Sequence, residues 1–481
     1  MPDKPITRRD TLKGAAAIGI AQSLPRMARA DHIVGLEPGP DQTVPVTDEQ
    51  LASWRNPGLI EHTRSAQVLV NKERAYDIMD RFGLDGLVAA TPLNVYYLSS
   101  HRGPMQMMGR DFSTYALLPR DETAPAALIV PGAMLYHLDY LPTWMPSVQV
   151  YTWPAAGAQL TESGDLAASP FVSPWAMHMR EGDLTRSDRV LMALYAEHHG
   201  KTSASALHGL KAALNEAGLV KGKLGFDDPR VLSWLRNKGM GDLNGVDALN
   251  IFKEIRMVKS RAEIEILREA SVRNEQALDY AIDQIEPGMN VLDIERAHAR
   301  KWGELEGHAC WLVTNIRGLN SGVVQSGDFM KLDSVGEYKG YLGDVGRTVS
   351  VGEPGDELLR RAEANQKASA AVYAAIRPGM DFMDAAEIFG AVLLEEGFEH
   401  GPAGPHPVGL IHTDVPWPTG DENPSFNQMD FSFEENMVFT LDMPYHEIGW
   451  GTTHVEDMML VTATGAVPLS SGNMALRIRP A

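Results

Sequence analysis

The stretch from Asp333 to Thr348 constrains this chain more than any other. It carries two acids, Asp333 and Asp344, beside two short strand-like runs, Phe329-Met330-Lys331-Leu332 and Gly340-Tyr341-Leu342, with the Gly336 to Gly340 region as the turn between them. A hairpin folded there can bring both carboxylates to one side. Converging carboxylates repel unless a cation or a shared proton lies between them. An ordinary surface hairpin is the alternative, because the chain has 63 acids to place.

Three further candidates follow in order. His406 lies in Gly404-Pro405-His406-Pro407-Val408, Asp442 in Val438-Phe439-Thr440-Leu441-Asp442-Met443, and Glu456 in His454-Val455-Glu456-Asp457-Met458. Each acid sits in apolar, strand-like sequence, where an unpaired ionised carboxylate is costly and a metal offsets the cost. One imidazole and four carboxylates form a hard, oxygen-rich set, enough for two adjacent divalent ions that share bridging carboxylates.

This order and wording resemble the pita-bread family that includes Xaa-Pro aminopeptidase, prolidase, methionine aminopeptidase and creatinase. Glu337-Tyr338-Lys339-Gly340-Tyr341 through Asp344 and Arg347-Thr348 is similar to the Xaa-Pro aminopeptidase wording, and the resemblance runs from about residue 55 to 478. It implies two divalent ions, Mn, Zn, Co or Fe, with Asp333 chelating one, Asp344 and Glu456 bridging both, His406 on the second and Asp442 where the family has glutamate. It also implies a metal-activated bridging water as nucleophile, with Glu456 as a catalytic carboxylate. His412 falls near a family histidine that contacts substrate and donates to the developing oxyanion.

Four positions depart from the pattern. Asp442 is one methylene short of the expected glutamate, and Gly346 stands where a threonine hydroxyl is expected. His454 replaces an arginine, which predicts a weaker, pH-dependent positive field. No histidine occurs between Thr314 and Phe329, where the peptidases carry one, and Arg317 or Asn320 is the nearest polar substitute. Such changes leave open a non-peptidase on the same scaffold: a metal-dependent lyase resembling the family's dimethylsulfoniopropionate lyase, or a creatinase-like small-amide hydrolase. The lyase pattern has an extra aspartate two positions from the first ligand, and neither Lys331 nor Val335 supplies it. A binding protein that has lost turnover is a further alternative.

The rest of the chain frames this site. With 481 residues, 44% hydrophobic, it can bury a sizeable core in two or three domains. A net charge of −20 argues against a nucleic-acid partner. The lone Cys310 excludes an intramolecular disulfide and reads as a small buried residue. Residues 1–30 have the layout of a twin-arginine export signal: Arg8-Arg9, a short apolar run from Gly14 to Ala21, and Ala28-Arg29-Ala30 as cleavage site. The run is too short for a membrane anchor, so a periplasmic or secreted protein is expected. Residues 31–54 read as an extended arm.

Helical stretches such as Val68 to Phe82 alternate with short apolar runs (Gly86 to Ala90, Asn94 to Leu98, Tyr115 to Leu118, Ala126 to Val130), which predicts an α/β layer domain over 55–251. Met105, Met107 and Met108 read as a loop that packs or lines an apolar pocket, and His198-His199 as solvent-facing. From 252 onward Ser260 caps a long amphipathic helix to about Ile285. Ile285-Glu286-Pro287-Gly288-Met289 and Ile376-Arg377-Pro378-Gly379-Met380 then repeat, each followed by a helix, Val291 to Leu305 and Phe382 to Glu396. The expected fold is α/β: a creatinase-type N-terminal domain and a pita-bread catalytic domain, 252–481, with a pseudo-twofold repeat. The leading function is a dinuclear hydrolase of peptides or amides, most simply Xaa-Pro peptides. The resemblance adds a homodimer to these expectations.

Overall fold

The computed structural model describes residues 43–152, 172, 178–180, 184–316, 322–399, 404–417 and 431–481. The expected export signal, Arg317 and Asn320 lie outside the described residues. Two units are distinguished. In the smaller, Thr43–Pro45 pairs antiparallel with His178–Arg180. In the larger, Asp48–Ser53 is a helix held by a Thr47–Gln50 capping box. The described end of the expected arm is therefore not extended throughout.

A six-stranded sheet organises the first half of the larger unit. Its strands are β1 (Gly86–Ala89), β2 (Tyr115–Pro119), β3 (Ala127–Pro131), β4 (Ser147–Tyr151), β5 (Lys223–Phe226) and β6 (Asn244–Asp247), in spatial order β4-β3-β2-β1-β5-β6. Helix α1 (Lys72–Phe82) begins at Lys72 rather than Val68, because Asn71 caps it by accepting from Arg74 N. The Asn94 to Leu98 run is helical: Pro92, at the first turn of α2 (Pro92–Ser99), has the backbone angle that starts a helix. Helix α3 (Ala206–Glu216) lays Leu210 and Leu214 on Val88, Leu117 and Ile129 of the sheet.

After α4 (Leu249–Met257), two helix pairs each back one four-stranded sheet. Helix α5 (Arg261–Asp283), started by a Ser260–Glu263 capping box, and α6 (Val291–Glu304) cover the sheet β16-β9-β8-β7. Those strands are β7 (His308–Ile316), β8 (Phe329–Tyr338), β9 (Tyr341–Val351) and β16 (Arg477–Arg479). Leu278, Ile282 and Ile294 meet Leu332, Val345 and Val349 in that core.

Helices α7 (Asp356–Ala375) and α8 (Phe382–Glu395) cover β10 (Gly404–Pro407), β11 (Val438–Asp442), β14 (Met458–Thr462) and β15 (Gly465–Pro468). Between these strands β12 (Tyr445–Glu447) and β13 (Gly451–Thr453) form a hairpin. Val372 and Phe389 pack there on Phe439, Leu441 and Val461. Gly288 and Gly379 take positive φ, 93° and 87°, as each Pro-Gly element turns between its helices. The repeat read from the sequence is thus a repeated helix-pair-on-sheet unit, in the mixed α/β class expected. Among the described residues no helix is long and apolar enough to cross a membrane.

Candidate metal centre

The two sheets meet at a bridge between Gly346 and Glu456, whose backbones exchange hydrogen bonds of 3.0 and 3.1 Å. The residues that face that seam decide what the site can do. In the β8/β9 hairpin Asp333 lies opposite Gly346 and Val335 opposite Asp344. Residues opposite each other, or two apart, share a face, so both acids point the same way. Leu332 and Val345 take the other face and enter the helix-backed core. The turn is tighter than the sequence suggested: Lys339 and Gly340, with φ of 50° and 84°, are its two residues, and both strands extend beyond the apolar runs.

On the second sheet Gly404 faces Asp442 and His406 faces Thr440. These faces bring Asp344 with His406 and His412, Asp333 with His454 and Glu456, and His406 with Asp442 and Glu456 into three overlapping groups. Within each group one ligand atom per residue lies within 4.8 Å of the others. All five residues singled out as ligands therefore converge, and His412 joins them.

The convergence leaves buried atoms without partners. Among the described residues Asp344 Oδ1, His406 Nε2 and Asp442 Oδ1 have no hydrogen-bond partner, although such groups are costly to bury unpaired. His406 Nδ1 is 3.1 Å from the His412 carbonyl and donates to it, which turns Nε2 into the centre. Burial pushes the Asp344 carboxyl up to about 6. Burial, with Asp344, Asp442 and Asp333 nearby, pushes Glu456 well above the carboxylate range. A divalent cation reverses that penalty, so the residues present fit a metal.

Neighbouring residues hold the ligands in place. Thr440 Oγ1 donates to Glu456 Oε1 at 2.9 Å. Arg347 is buried and grips the seam, with Nη1 2.7 Å from the Glu456 carbonyl and Nη2 2.7 Å from Asp457 Oδ1. His412, its side chain 33% exposed, places Nε2 3.1 Å from Asp344 Oδ2 and packs its ring against His406 and Trp311. Burial works against a charge on this imidazole, but the Asp344 contact outweighs it and the pKa is raised.

Lys331 enters the centre although the sequence reading had given it no place there, and His454, read as a source of positive field, lies inside it. Lys331 Nζ pairs with Asp333 Oδ2 at 3.0 Å. His454 is fully buried, with Nε2 2.9 Å from Glu456 Oε2. Strand alternation was the available signal for Lys331, which lies two residues before Asp333 on β8 and so on the same face.

Instead of a pH-dependent positive field, His454 presents a neutral ring, because burial, with Lys331 nearby, lowers its pKa to about 4. Elsewhere, His198 is buried beside Glu197 rather than solvent-facing. Cys310 is exposed rather than buried. Met105 lies in a short helix, Pro104–Met107, rather than a loop.

A family model described as Metallopeptidase family M24 matches residues 265–463. The probable dipeptidase PepE of Mycobacterium tuberculosis is 28% identical over 240 residues, 47% of this chain and 61% of that protein. The Xaa-Pro dipeptidase of Pyrococcus furiosus is 27% identical over 237 residues, 46% of this chain and 65% of that protein. The match thus spans less than two thirds of these relatives' length. Among solved structures, an Xaa-Pro dipeptidase from Bacillus anthracis aligns with a TM-score of 0.59 at 18% identity, covering 85% of this chain and 98% of that one. Dipeptidase PepE from Mycobacterium ulcerans aligns at 0.59 and 18%, covering 85% and 97%. The structural likeness concerns the fold.

Proposed function

We propose, from the match of residues 265–463 to a family model described as Metallopeptidase family M24, that the protein is a metal-dependent hydrolase of peptide or amide bonds, acting most simply on Xaa-Pro peptides. The observation that carries this reading is the set of buried, unpartnered ligand atoms on Asp344, His406 and Asp442, at one seam with Asp333 and Glu456. Those five residues would hold two divalent ions, Mn, Zn, Co or Fe. When bound, the ions supply Lewis-acid polarisation of the scissile carbonyl and acidify a water.

The chain's own groups do the rest. Glu456, buried between Thr440 and His454, accepts the proton that the attacking water gives up. His412 is the partly exposed imidazole of the centre, so it is the one a substrate can reach, and it donates to the carbonyl oxygen as charge develops there. Arg347 positions Glu456 through its backbone.

The proposal extends to export by residues 1–30, on the strength of Arg8-Arg9 and the Ala28-Arg29-Ala30 site, and to a homodimer, on the strength of the resemblance. The test is turnover of an Xaa-Pro dipeptide by protein stripped with chelator and reloaded with each metal. Activity that returns with metal, and is lost in His412→Ala, supports the reading. Metal-loaded protein that cleaves neither peptides nor amides contradicts it.

A further inference from the structure

Gly346 and His454 are two separate departures from the family wording, but in the structure they are one. A Cβ placed on Gly346 would lie 2.1 Å from His454 Cδ2 and 2.2 Å from Nε2. No side chain at 346 can coexist with this imidazole in its present place, so the missing hydroxyl is the condition for the added ring. The backbone that carries the ring is held at both its polar groups by one hydroxyl. His454 N donates to Thr348 Oγ1 at 2.7 Å, and Thr348 Oγ1 donates to the His454 carbonyl at 3.0 Å. The side chain has no exposure to solvent.

Held in that way, the ring faces ligands. His454 Nε2 is 2.9 Å from Glu456 Oε2 and 3.8 Å from Asp442 Oδ1, and His454 groups with Asp333 and Glu456 within ligating reach. Nδ1 is buried with no partner among the described residues. A fully buried imidazole among carboxylates is the ligand type that borderline divalent cations take.

We propose that His454 is itself a metal ligand, on the Asp333 side of the centre, so that each of the two cation positions carries one imidazole, His406 on one and His454 on the other. This rests on the metallohydrolase reading and adds to it. An added imidazole, with the shortened Asp442, favours Co2+ or Zn2+ over Mn2+.

The test uses the full chain and Co2+ as probe. Wild-type protein should bind two Co2+ ions. Its proton spectrum in water should show two paramagnetically shifted, exchangeable imidazole N–H signals, one per ligating histidine. His454→Gln should lose one signal and weaken one of the two sites by about 100-fold, and His406→Gln should lose the other signal. Gly346→Ala, which displaces the ring without removing it, should behave as His454→Gln.

Wild-type protein that binds two ions but shows a single shifted signal overturns the proposal, whatever the variants do. Unchanged affinity at both sites in a folded His454→Gln also overturns it. Wild-type protein that binds no Co2+ fails the metallohydrolase reading itself, a result distinct from either.

Discussion

Lys331 places a cation of the chain's own 3.0 Å from Asp333, a residue that the centre presents to a metal. A bound dication must either share Asp333 with that ammonium or displace it, and both raise the free energy of the loaded site through like-charge repulsion. Lys331→Met keeps an unbranched side chain one atom shorter and removes the charge. We predict metal binding about tenfold tighter, near 1.4 kcal/mol, by calorimetric titration. Weaker binding in the variant would mean that the ammonium helps to assemble the site. At this scale the ligands were legible in the sequence because Asp333, Asp344, Asp442 and Glu456 interrupt apolar strands. Lys331 was not, because it can be an ordinary surface residue until strand alternation places it beside Asp333, and His454 was legible as a departure but not as a buried neighbour of Glu456.

The hairpin that carries Asp333 and Asp344 depends on close packing against α5. Asn274 Nδ2 donates to the Ser334 carbonyl at 2.6 Å and the Gly343 carbonyl at 3.0 Å, tying both strands to the helix. A Cβ at Gly343 would lie 2.3 Å from the Ala270 carbonyl oxygen. Gly343→Ala must therefore push β9 off α5, and we predict a loss of about 1–3 kcal/mol in denaturant unfolding. Gly303→Ala, near the end of α6 with nothing within 4 Å of the new Cβ, should instead gain up to about 1 kcal/mol. Equal effects of the two would contradict the packing account.

The elements themselves were unevenly readable. Helices announced by Ser260 and by the Pro-Gly repeat were legible because caps and stops are local chemistry. Strand β8 was cut short at Leu332, because its site-facing positions are Lys331, Asp333 and Glu337, and an apolar-run reading stops at polar residues. The helix at Asn94 to Leu98 was missed because its residues are largely buried, which removes the helical period.

Across the larger unit, a buried polar chain links the six-stranded sheet to the half that carries the candidate metal centre. Asp227 accepts from Ala90 N at 2.8 Å and from Asn94 Nδ2 at 3.0 Å. Asn94 Oδ1 accepts from Arg256, and Arg256 Nη2 donates to Asp414 at 2.7 Å. Arg256 and Asp414 are both almost fully buried. Arg256→Met leaves the Asp414 charge without its partner, and we predict a loss of about 3–5 kcal/mol in unfolding free energy. An unchanged midpoint would show that the link carries no stability. No local pattern in the sequence reveals this chain, since each contact joins residues far apart.

Acid sensitivity belongs to the same scale. His101 is buried, its Nδ1 2.6 Å from the Leu141 carbonyl, and burial lowers its pKa from 6.5 to about 4. Because the folded value is the lower one, its contribution is complete above pH 6.5 and is lost as pH falls towards 4. The loss amounts to about 3 kcal/mol by pH 4. His101→Gln should flatten the stability profile between those values, whatever it does to stability at pH 7. An unchanged slope would rule His101 out as a source of the acid loss.

Asp333, Asp344, His406, Asp442 and Glu456 are proposed to hold two divalent ions at one centre. Metal content per folded chain, measured on protein purified without chelator beside Asp344→Ala, tests it most directly. The account predicts about two divalent ions in the wild-type chain and their loss in the variant. A folded wild-type protein that carries no metal and takes up neither Mn2+ nor Zn2+ would contradict it.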